Sequence, residues 1–560
     1  MSTTTGRETP SYDASNNPAA STDSTQPDLD RSLAHIRLQA ERLRDRLNSR
    51  VEEDGLVRDQ CGSRVLESAL LLSLLRKTRT LPTVHDGLTG YLRNARPDGP
   101  MDTMIVEAAM GQPGQHDRAV AYLNEFRHHT GARKRLMLST LLSLTGVMPT
   151  DTNTDAHTLH YQGYAAWTEL SLCAIKILHG HARAGHAAVS TADRNYLAGR
   201  LASASLDQVW EGNALAHLIA LHALHACQPD SPLLHNGIAA LCRIRNSDGG
   251  LPFIAGQEIF VTALAGRALA AARAPQSLLI QMGDRISGLQ QRDGGWGYTE
   301  TTSQTDVDDT AVCIEFLRIT DTARYRQVLA RAEQYLGAMA DPRGGFPTYM
   351  PGHQREADMT AGAVMALSAS WQDHAPLLDK CVDFLLSAQR GDGTFENSWT
   401  RSRSSAIHRV LDALRHVPPA SADRSARIAH ATLASTRYLA KTQNPDGGWG
   451  YHPGKDSDVV STAHALTVIA YTGDRHALRR GLHYLLAHQN ADGGYTSVPD
   501  QFGPRPLPFD YPVLADVHVL DAFTQLHYAL RTATTAPKQP APTRPTGSVE
   551  EPAPGSAAVP

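Results

Sequence analysis

Gln290-Gln291-Arg292-Asp293-Gly294-Gly295-Trp296 opens with the pattern Gln-x-x-Asp-Gly, which returns at Gln389–Gly393, Gln443–Gly447 and Gln489–Gly493. Two looser copies keep only the turn, at Ser247-Asp248-Gly249-Gly250 and Pro342-Arg343-Gly344-Gly345. The first glycines, at 249, 294, 344, 393, 447 and 493, lie 45, 50, 49, 54 and 46 residues apart. An aromatic follows each turn: Phe253, Trp296, Phe346, Phe395, Trp449 and Tyr495. This period, with one glycine-rich corner per unit, marks a repeat architecture in which each unit buries its apolar face against its neighbours.

Each unit reads as two helices. The second helices open alike, at Thr262-Ala263, Thr310-Ala311, Thr360-Ala361, Ser405-Ala406 and Thr462-Ala463. Hydroxyl side chains suit helix starts because they accept from free amide groups there. The second helices are also the more apolar, which places them inside. Six pairs closed in a ring make an all-α, α/α barrel without open ends; an open solenoid is the alternative.

Ahead of the repeats, residues 31–51 place Leu33, Ile36, Ala40, Leu43 and Leu47 on one helical face. From Cys61 to about Gln228 the pattern stays helical, as in Val65–Leu75, Leu136–Leu144 and Ala165–Leu178, with breakers such as Pro97-Asp98-Gly99-Pro100 between. Residues 1–28 and 534–560 are rich in Ser, Thr, Asn, Pro and Ala, and read as disordered tails.

The totals exclude several classes. A formal charge of -4 gives no reason to expect nucleic acid or an anionic membrane surface. The six cysteines lie scattered in apolar runs without metal-ligand spacing, as reduced thiols do. The start lacks a secretory signal pattern, and no apolar run is long enough to insert stably in a membrane. A cytoplasmic protein, monomer or homodimer, is expected.

The chemistry-bearing stretch is Asp306-Val307-Asp308-Asp309-Thr310-Ala311, an acidic turn opening an apolar helix. Adjacent carboxylates titrate as a set, so at least one can hold a proton at neutral pH. A dry cavity would keep that proton from bulk water, whereas the helix N-terminus pulls each pKa down. Helix capping alone needs only one such residue, and clustered Asp also suits Mg2+.

Together these features resemble the class II terpene cyclases, relatives of squalene–hopene cyclase. The Gln-x-x-Asp-Gly-Gly-Trp units look like their QW repeats, and Asp-x-Asp-Asp-Thr-Ala looks like the DxDD general-acid motif of the bacterial prenyl diphosphate cyclases. The resemblance implies a β domain formed by residues 29–57 and 229–533, with a second α barrel, the γ domain, inserted at 58–228 and the active site between them. Asp308 would donate the proton, with Asp306 and Asp309 tuning and orienting it. The enzyme, an isomerase acting as an intramolecular lyase, would cyclise a linear prenyl diphosphate and leave the diphosphate in place. Geranylgeranyl diphosphate giving a copalyl (labdane-type) product is favoured over farnesyl diphosphate giving a drimenyl-type one. No Asp-Asp-x-x-Asp ionisation motif is present.

A carbocation in such a site wants apolar and aromatic walls. Trp296, Tyr298, Phe316, Trp399, Trp449, Tyr451 and Phe509 are candidates, although Trp296 and Trp449 sit at repeat corners and read as structural. His452, Tyr451, His408 and His464 are candidate bases. Arg401, Arg403 and Lys455 are the cations nearest inner-helix starts for a diphosphate. The family draws on an acidic γ-domain motif for Mg2+; here Glu169 and Glu211 are the only stand-ins. Two competing readings stand: a zinc enzyme like the protein prenyltransferases, built on Asp379-Lys380-Cys381, and a non-catalytic barrel that binds a partner protein.

Overall fold

A computed structural model describes residues 25–125, 131–152, 159–419, 421–471 and 474–535. The stretches expected to be tails lie mostly outside these residues, but the first helix already begins at Thr25, inside the expected 1–28 tail.

Six helices form the inner ring of the larger barrel: Glu258–Ala271, Val307–Asp321, Ala357–Leu367, Arg403–Arg415, Val459–Ile469 and Val513–Thr535. Each packs on the next, and the last packs back on the first, so the ring closes and the solenoid is ruled out. Five outer helices follow their inner partners: Gln276–Gly288, Arg326–Met339, Trp371–Ala388, Ala422–Thr442 and Arg475–Ala487. The sixth is Thr25–Asn48, which lies against Val513–Thr535 with Ile36, Leu43 and Leu47 fully buried.

The repeated residues explain themselves as joinery. Gln290 Nε2 donates to Gly294 O at 2.8 Å and to Val328 O, on the next outer helix, at 2.9 Å. Gln443 does the same to Gly447 O and Ala477 O. Asp293 Oδ1 accepts the Gly295 amide at 3.0 Å, holding a turn whose glycine, Gly294, has φ +95°. A Cβ there would also meet Arg331 O at 2.5 Å, so the outer helices touch through glycine. Trp296 Nε1 and Trp449 Nε1 each donate at 2.8 Å to a carbonyl of their own outer helix.

The threonines at the inner-helix starts do other work than expected. Thr310, Thr360 and Thr462 accept the backbone amides of Trp296, Phe346 and Trp449 at 2.9–3.1 Å, locking the corner onto the helix it feeds. Asp306 and Asp458 cap the helices of Thr310 and Thr462, Ser402 caps Arg403–Arg415, and the helix of Thr360 has no side-chain cap.

The smaller unit contains nine helices among the described residues, from Val65–Thr78 to Pro232–Arg243. That last helix was assigned to the repeat barrel by the sequence boundary at 228/229. It packs instead on Ala214–Cys227 and Thr191–Ala202, and a Cβ on Gly249 would strike Gly87 O at 2.7 Å. The first glycine-rich corner therefore belongs to the smaller unit, and the crossover lies near residue 255. A short antiparallel pair, Ser63–Arg64 with Leu251–Pro252, ties the entry of this unit to its exit.

Candidate active site

The acidic turn lies where the inner helix Val307–Asp321 begins. Trp296 and Asp306 form a β-bridge, and the Val307 amide donates to Thr348 O of the next repeat at 3.0 Å. The turn is thus fixed from both sides before its side chains are considered.

The three carboxylates have different surroundings. Asp306 caps the helix by accepting the Asp309 amide at 2.8 Å, and burial raises its pKa to about 6. Asp309 is likewise buried, and burial together with the neighbouring Asp306 raises it well above the usual carboxyl range. Two carboxyls this close titrate as a set, and burial favours the protonated form of both. Asp308 is partly exposed to the cavity and is engaged by Arg409 through both carboxylate oxygens, Nη1 to Oδ2 at 3.1 Å and Nη2 to Oδ1.

The same register holds a further acid. Phe346 bridges Glu356 as Trp296 bridges Asp306, which makes Asp358 the counterpart of Asp308 one repeat on. Asp358 is fully buried, its Oδ2 accepts the Ser398 amide at 3.1 Å and its Oδ1 has no protein partner. Burial raises it to about 6.

Asp306, Asp308 and Asp309 all line one cavity between the two barrels, with about 890 Å³ of empty space, mouth included. Its aromatic walls are Trp167 and Phe253 from the smaller unit and Phe260, Tyr298, Tyr349, Trp399, Phe502 and Phe509 from the larger. Trp399 and Tyr349 meet edge to face with centroids 5.7 Å apart, and Trp399 Nε1 donates to Thr348 Oγ1 at 3.0 Å. Such a chamber presents π faces to a cation and little water-binding surface.

Two neighbouring spaces continue it. A chamber deeper in the ring is lined by Arg267, Glu315, His408, Arg409, Asp412, His464 and His518. A pocket at the barrel–barrel interface, of about 1460 Å³ mouth included, is lined by Arg133, Lys134, His353, Glu356 and Arg505, and shares Trp167, Tyr349 and Trp399 with the acid-bearing cavity.

Of the aromatics proposed from sequence, Tyr298, Trp399 and Phe509 line the acid-bearing cavity. Trp296 and Trp449 are corner residues, as read. Phe316 is fully buried against Gly266 on the adjacent inner helix and fills the ring's core. Tyr451 lies under the Arg401 guanidinium at 3.8 Å.

The proposed cations are placed elsewhere. Arg401 is paired with Asp98 of the smaller unit at 2.8 Å, Arg403 donates to His452 and Thr394, and Lys455 is exposed. None of the three lines the cavities described above. His464 is buried and His408 half-buried in the deep chamber, whereas His452 is exposed.

The magnesium stand-ins do not fit a metal. Glu211 is occupied by the Ser303 amide at 2.6 Å, the Ser303 hydroxyl and the Gln304 amide, and so pins the loop entering the acidic turn. Glu169 accepts the Gly163 amide at 2.8 Å and the Tyr196 hydroxyl at 2.7 Å. Among the described residues, no three His, Cys, Asp or Glu side chains converge as a metal site. The zinc reading loses its residues too: Asp379 pairs with Arg424, and Cys381 Sγ accepts the Gly345 amide at 3.2 Å.

Sequence reasoning missed Arg409, Asp358, Trp167, Phe260, Tyr349 and the basic trio Arg133, Lys134 and Arg505. Asp358 had a signal, its place in the repeat register. Arg409 had none, because it reaches Asp308 across the ring from 101 residues away.

The Squalene-hopene cyclase C-terminal domain family matches residues 353–513, and the Prenyltransferase alpha-alpha toroid domain family matches residues 262–417. The drimenyl diphosphate synthase of Streptantibioticus cattleyicolor is 40% identical over 505 residues, covering 86% of this chain and 93% of that protein. The drimenyl diphosphate synthase of Streptomyces showdoensis is 38% identical over 550 residues, covering 94% and 99%. Among solved structures, the ent-copalyl diphosphate synthase of Streptomyces platensis shares the fold, with a TM-score of 0.53 at 16% identity over 89% of this chain and 99% of that one. With relatives this similar over nearly its whole length, and with an acidic turn facing an aromatic cavity between two helical barrels, the chain belongs to the bacterial class II terpene cyclases.

Proposed function

We propose that the chain converts farnesyl diphosphate into a bicyclic drimenyl-type diphosphate. The observation that carries this reading is the meeting of Asp306, Asp308 and Asp309 with an aromatic cavity between the barrels. The two long relatives named for drimenyl diphosphate reverse the order read from the sequence, which had put the C20 substrate first.

Asp308 gives a proton to the terminal alkene, creating a tertiary cation that the next two double bonds attack in turn. Two ring bonds form, a carbon next to the final cation gives its proton to a basic side chain or a water molecule, and the product is an isomer of the substrate. Nothing is oxidised, and the ester bond to the diphosphate stays whole. Arg409 favours this transfer because it stabilises the carboxylate left behind. Asp306 and Asp309 hold a proton beside Asp308 and restore it after each turnover. Trp399, Tyr349, Phe253 and Phe260 line the passage and keep water from the cation.

Magnesium enters this reading as a counter-ion arriving with the diphosphate, and no step is routed through it. Among the described residues no helix is long and apolar enough to cross a membrane, and the six cysteines are free thiols. Both accord with work in the cytoplasm.

Incubating purified protein with farnesyl or geranylgeranyl diphosphate, removing the phosphates and analysing the alcohols by GC–MS tests the reading. Drimenol-type product from the C15 substrate, in excess over any copalol-type product, is expected. A labdane alcohol as the main product would overturn the substrate assignment.

A further inference from the structure

The two barrels meet at the loop that leads into the acidic turn. Residues 298–305 of the larger unit lie between the outer helix Gln276–Gly288 and the inner helix Val307–Asp321. Glu211 of the smaller unit engages this loop with both its side chain and its backbone. Its Oε2 accepts the Ser303 amide at 2.6 Å and the Gln304 amide at 3.2 Å, and its Oε1 accepts the Ser303 hydroxyl. Its carbonyl oxygen accepts the Tyr298 hydroxyl at 2.5 Å and the Thr302 hydroxyl at 3.0 Å. Donors from four loop residues thus converge on one residue of the other barrel.

The contact is made under backbone strain. Glu211 has φ +52° and ψ +20°, in the left-handed region that residues with a side chain rarely adopt. Gly212 follows with φ +65°, and a Cβ on it would lie 2.9 Å from Thr299 Cγ2 and 3.2 Å from Thr301 Oγ1. The corner comes this close to the loop only because glycine follows the glutamate. Strain of this kind persists where the surroundings over-determine it, and it collects at functional sites.

The same loop joins the acid to the cavity wall. Gln304 Oε1 accepts the Ala166 amide at 3.1 Å, in the first turn of the helix Ala166–Ala184, where amides lack a partner within the helix. The next residue, Trp167, lines the acid-bearing cavity, as does Tyr298 at the start of the loop. From within the ring, Glu258 Oε1 accepts the Glu300 amide at 2.8 Å and the Thr299 hydroxyl. Asp306, directly after the loop, caps the helix that carries Asp308.

The structure assigns Glu211 as a positioning residue that clamps loop 298–305 across the barrel interface and so holds Asp308 in register with the Trp167 wall. This role rests on the cyclase reading and goes beyond it: the acid is fully positioned only where the two barrels dock. The clamp needs acceptor oxygens, not a metal-binding charge. Glutamine offers a carbonyl oxygen to the two amides and an amide group to the Ser303 hydroxyl, so Glu211→Gln keeps the clamp. A carboxylate serving Mg2+ would not tolerate that change.

Hydrogen exchange and turnover of the full chain test the assignment together. In Glu211→Ala, exchange in a peptide spanning 298–306 is expected to quicken about tenfold, as loss of such hydrogen bonds allows. Its kcat is expected to fall about 10²-fold, the effect of a small misplacement of the reacting groups, with KM little changed. Glu211→Gln is expected to restore slow exchange and most of kcat, with the Mg2+ dependence of the rate unchanged. A glutamine variant that is slow and needs more Mg2+ would make Glu211 a metal ligand and overturn the clamp. A lower Tm in Glu211→Ala with kcat per folded molecule unchanged would also overturn it, leaving a structural contact only. If the alanine variant does not fold, the exchange and Mg2+ dependence of the glutamine variant decide. Exchange that behaves as expected in a protein that cyclises no prenyl diphosphate leaves the clamp standing and removes the cyclase reading.

Discussion

Arg409 engages both carboxylate oxygens of Asp308 from an inner helix on the other side of the intervening helix Ala357–Leu367. Gly362 on that helix makes room: a Cβ there would lie 3.0 Å from Arg409 Nη2 and 3.8 Å from Asp308 Oδ1. The acid is therefore tuned by a residue that lines the deeper chamber and not the acid-bearing cavity itself.

Arg409 acts as a positioning residue through Asp308. Arg409→Met should lower kcat about 10²- to 10³-fold, in line with losing one preorganised charge contact, with KM changed little. The distinguishing readout is rescue by the conservative variant: Arg409→Lys should recover part of kcat, and a lysine variant as slow as the methionine one would reduce Arg409 to a packing role.

The Asp306–Asp309 pair makes its own pH prediction. Asp306 is raised to about 6 and Asp309 well above the usual carboxyl range, so the proton-bearing form dominates at low pH. Turnover should be flat on the acid side and fall as pH rises and the coupled pair loses its first proton. Asp309→Asn, which cannot hold the proton, should remove that dependence and slow repeated turnover more than the first one, as measured by rapid quench.

Asp358 predicts a stability effect. A carboxyl raised to about 6 in the fold binds a proton there more readily than in the unfolded chain between roughly pH 4 and 6. Unfolding free energy therefore falls as pH rises through that window and levels off above it, by about 1.4 kcal/mol for each unit of separation. Asp358→Asn should shrink the drop in Tm between pH 4 and pH 7 relative to wild type. An equal drop in both proteins would place the effect elsewhere.

Trp296 and Trp399 separate structure from chemistry. Trp296→Ala empties a fully buried corner and should cost about 3–5 kcal/mol, with the product pattern unchanged in whatever protein folds. Trp399→Ala should cost less stability but divert product toward water-quenched and monocyclic alcohols, visible by GC–MS. Reversed outcomes would mean the cavity wall is misassigned.

The closed ring was legible because its joinery is written locally. Glutamine, aspartate, glycine and the following aromatic each hold a bond within their own corner or to the adjacent unit, so period alone exposed them. The acidic turn was legible for the same reason. The smaller unit carries no such period, and its claim on Pro232–Arg243 depended on Gly249 meeting Gly87, a contact across more than 160 residues. Arg401 and Arg403 are near inner-helix starts in sequence, yet neither lines a cavity described above, and the basic lining of the interface pocket comes from Gly131–Leu144 and the loop at Arg505. Proximity along a repeat predicts corners well and cavity walls poorly.

Turnover of Asp308→Asn with farnesyl diphosphate tests the central claim most directly. Asparagine keeps the size and cannot supply the proton, so product should fall about 10²- to 10⁴-fold, the usual contribution of a general acid, with circular dichroism and Tm near wild type. Activity within a few-fold of wild type in the folded variant would contradict the account.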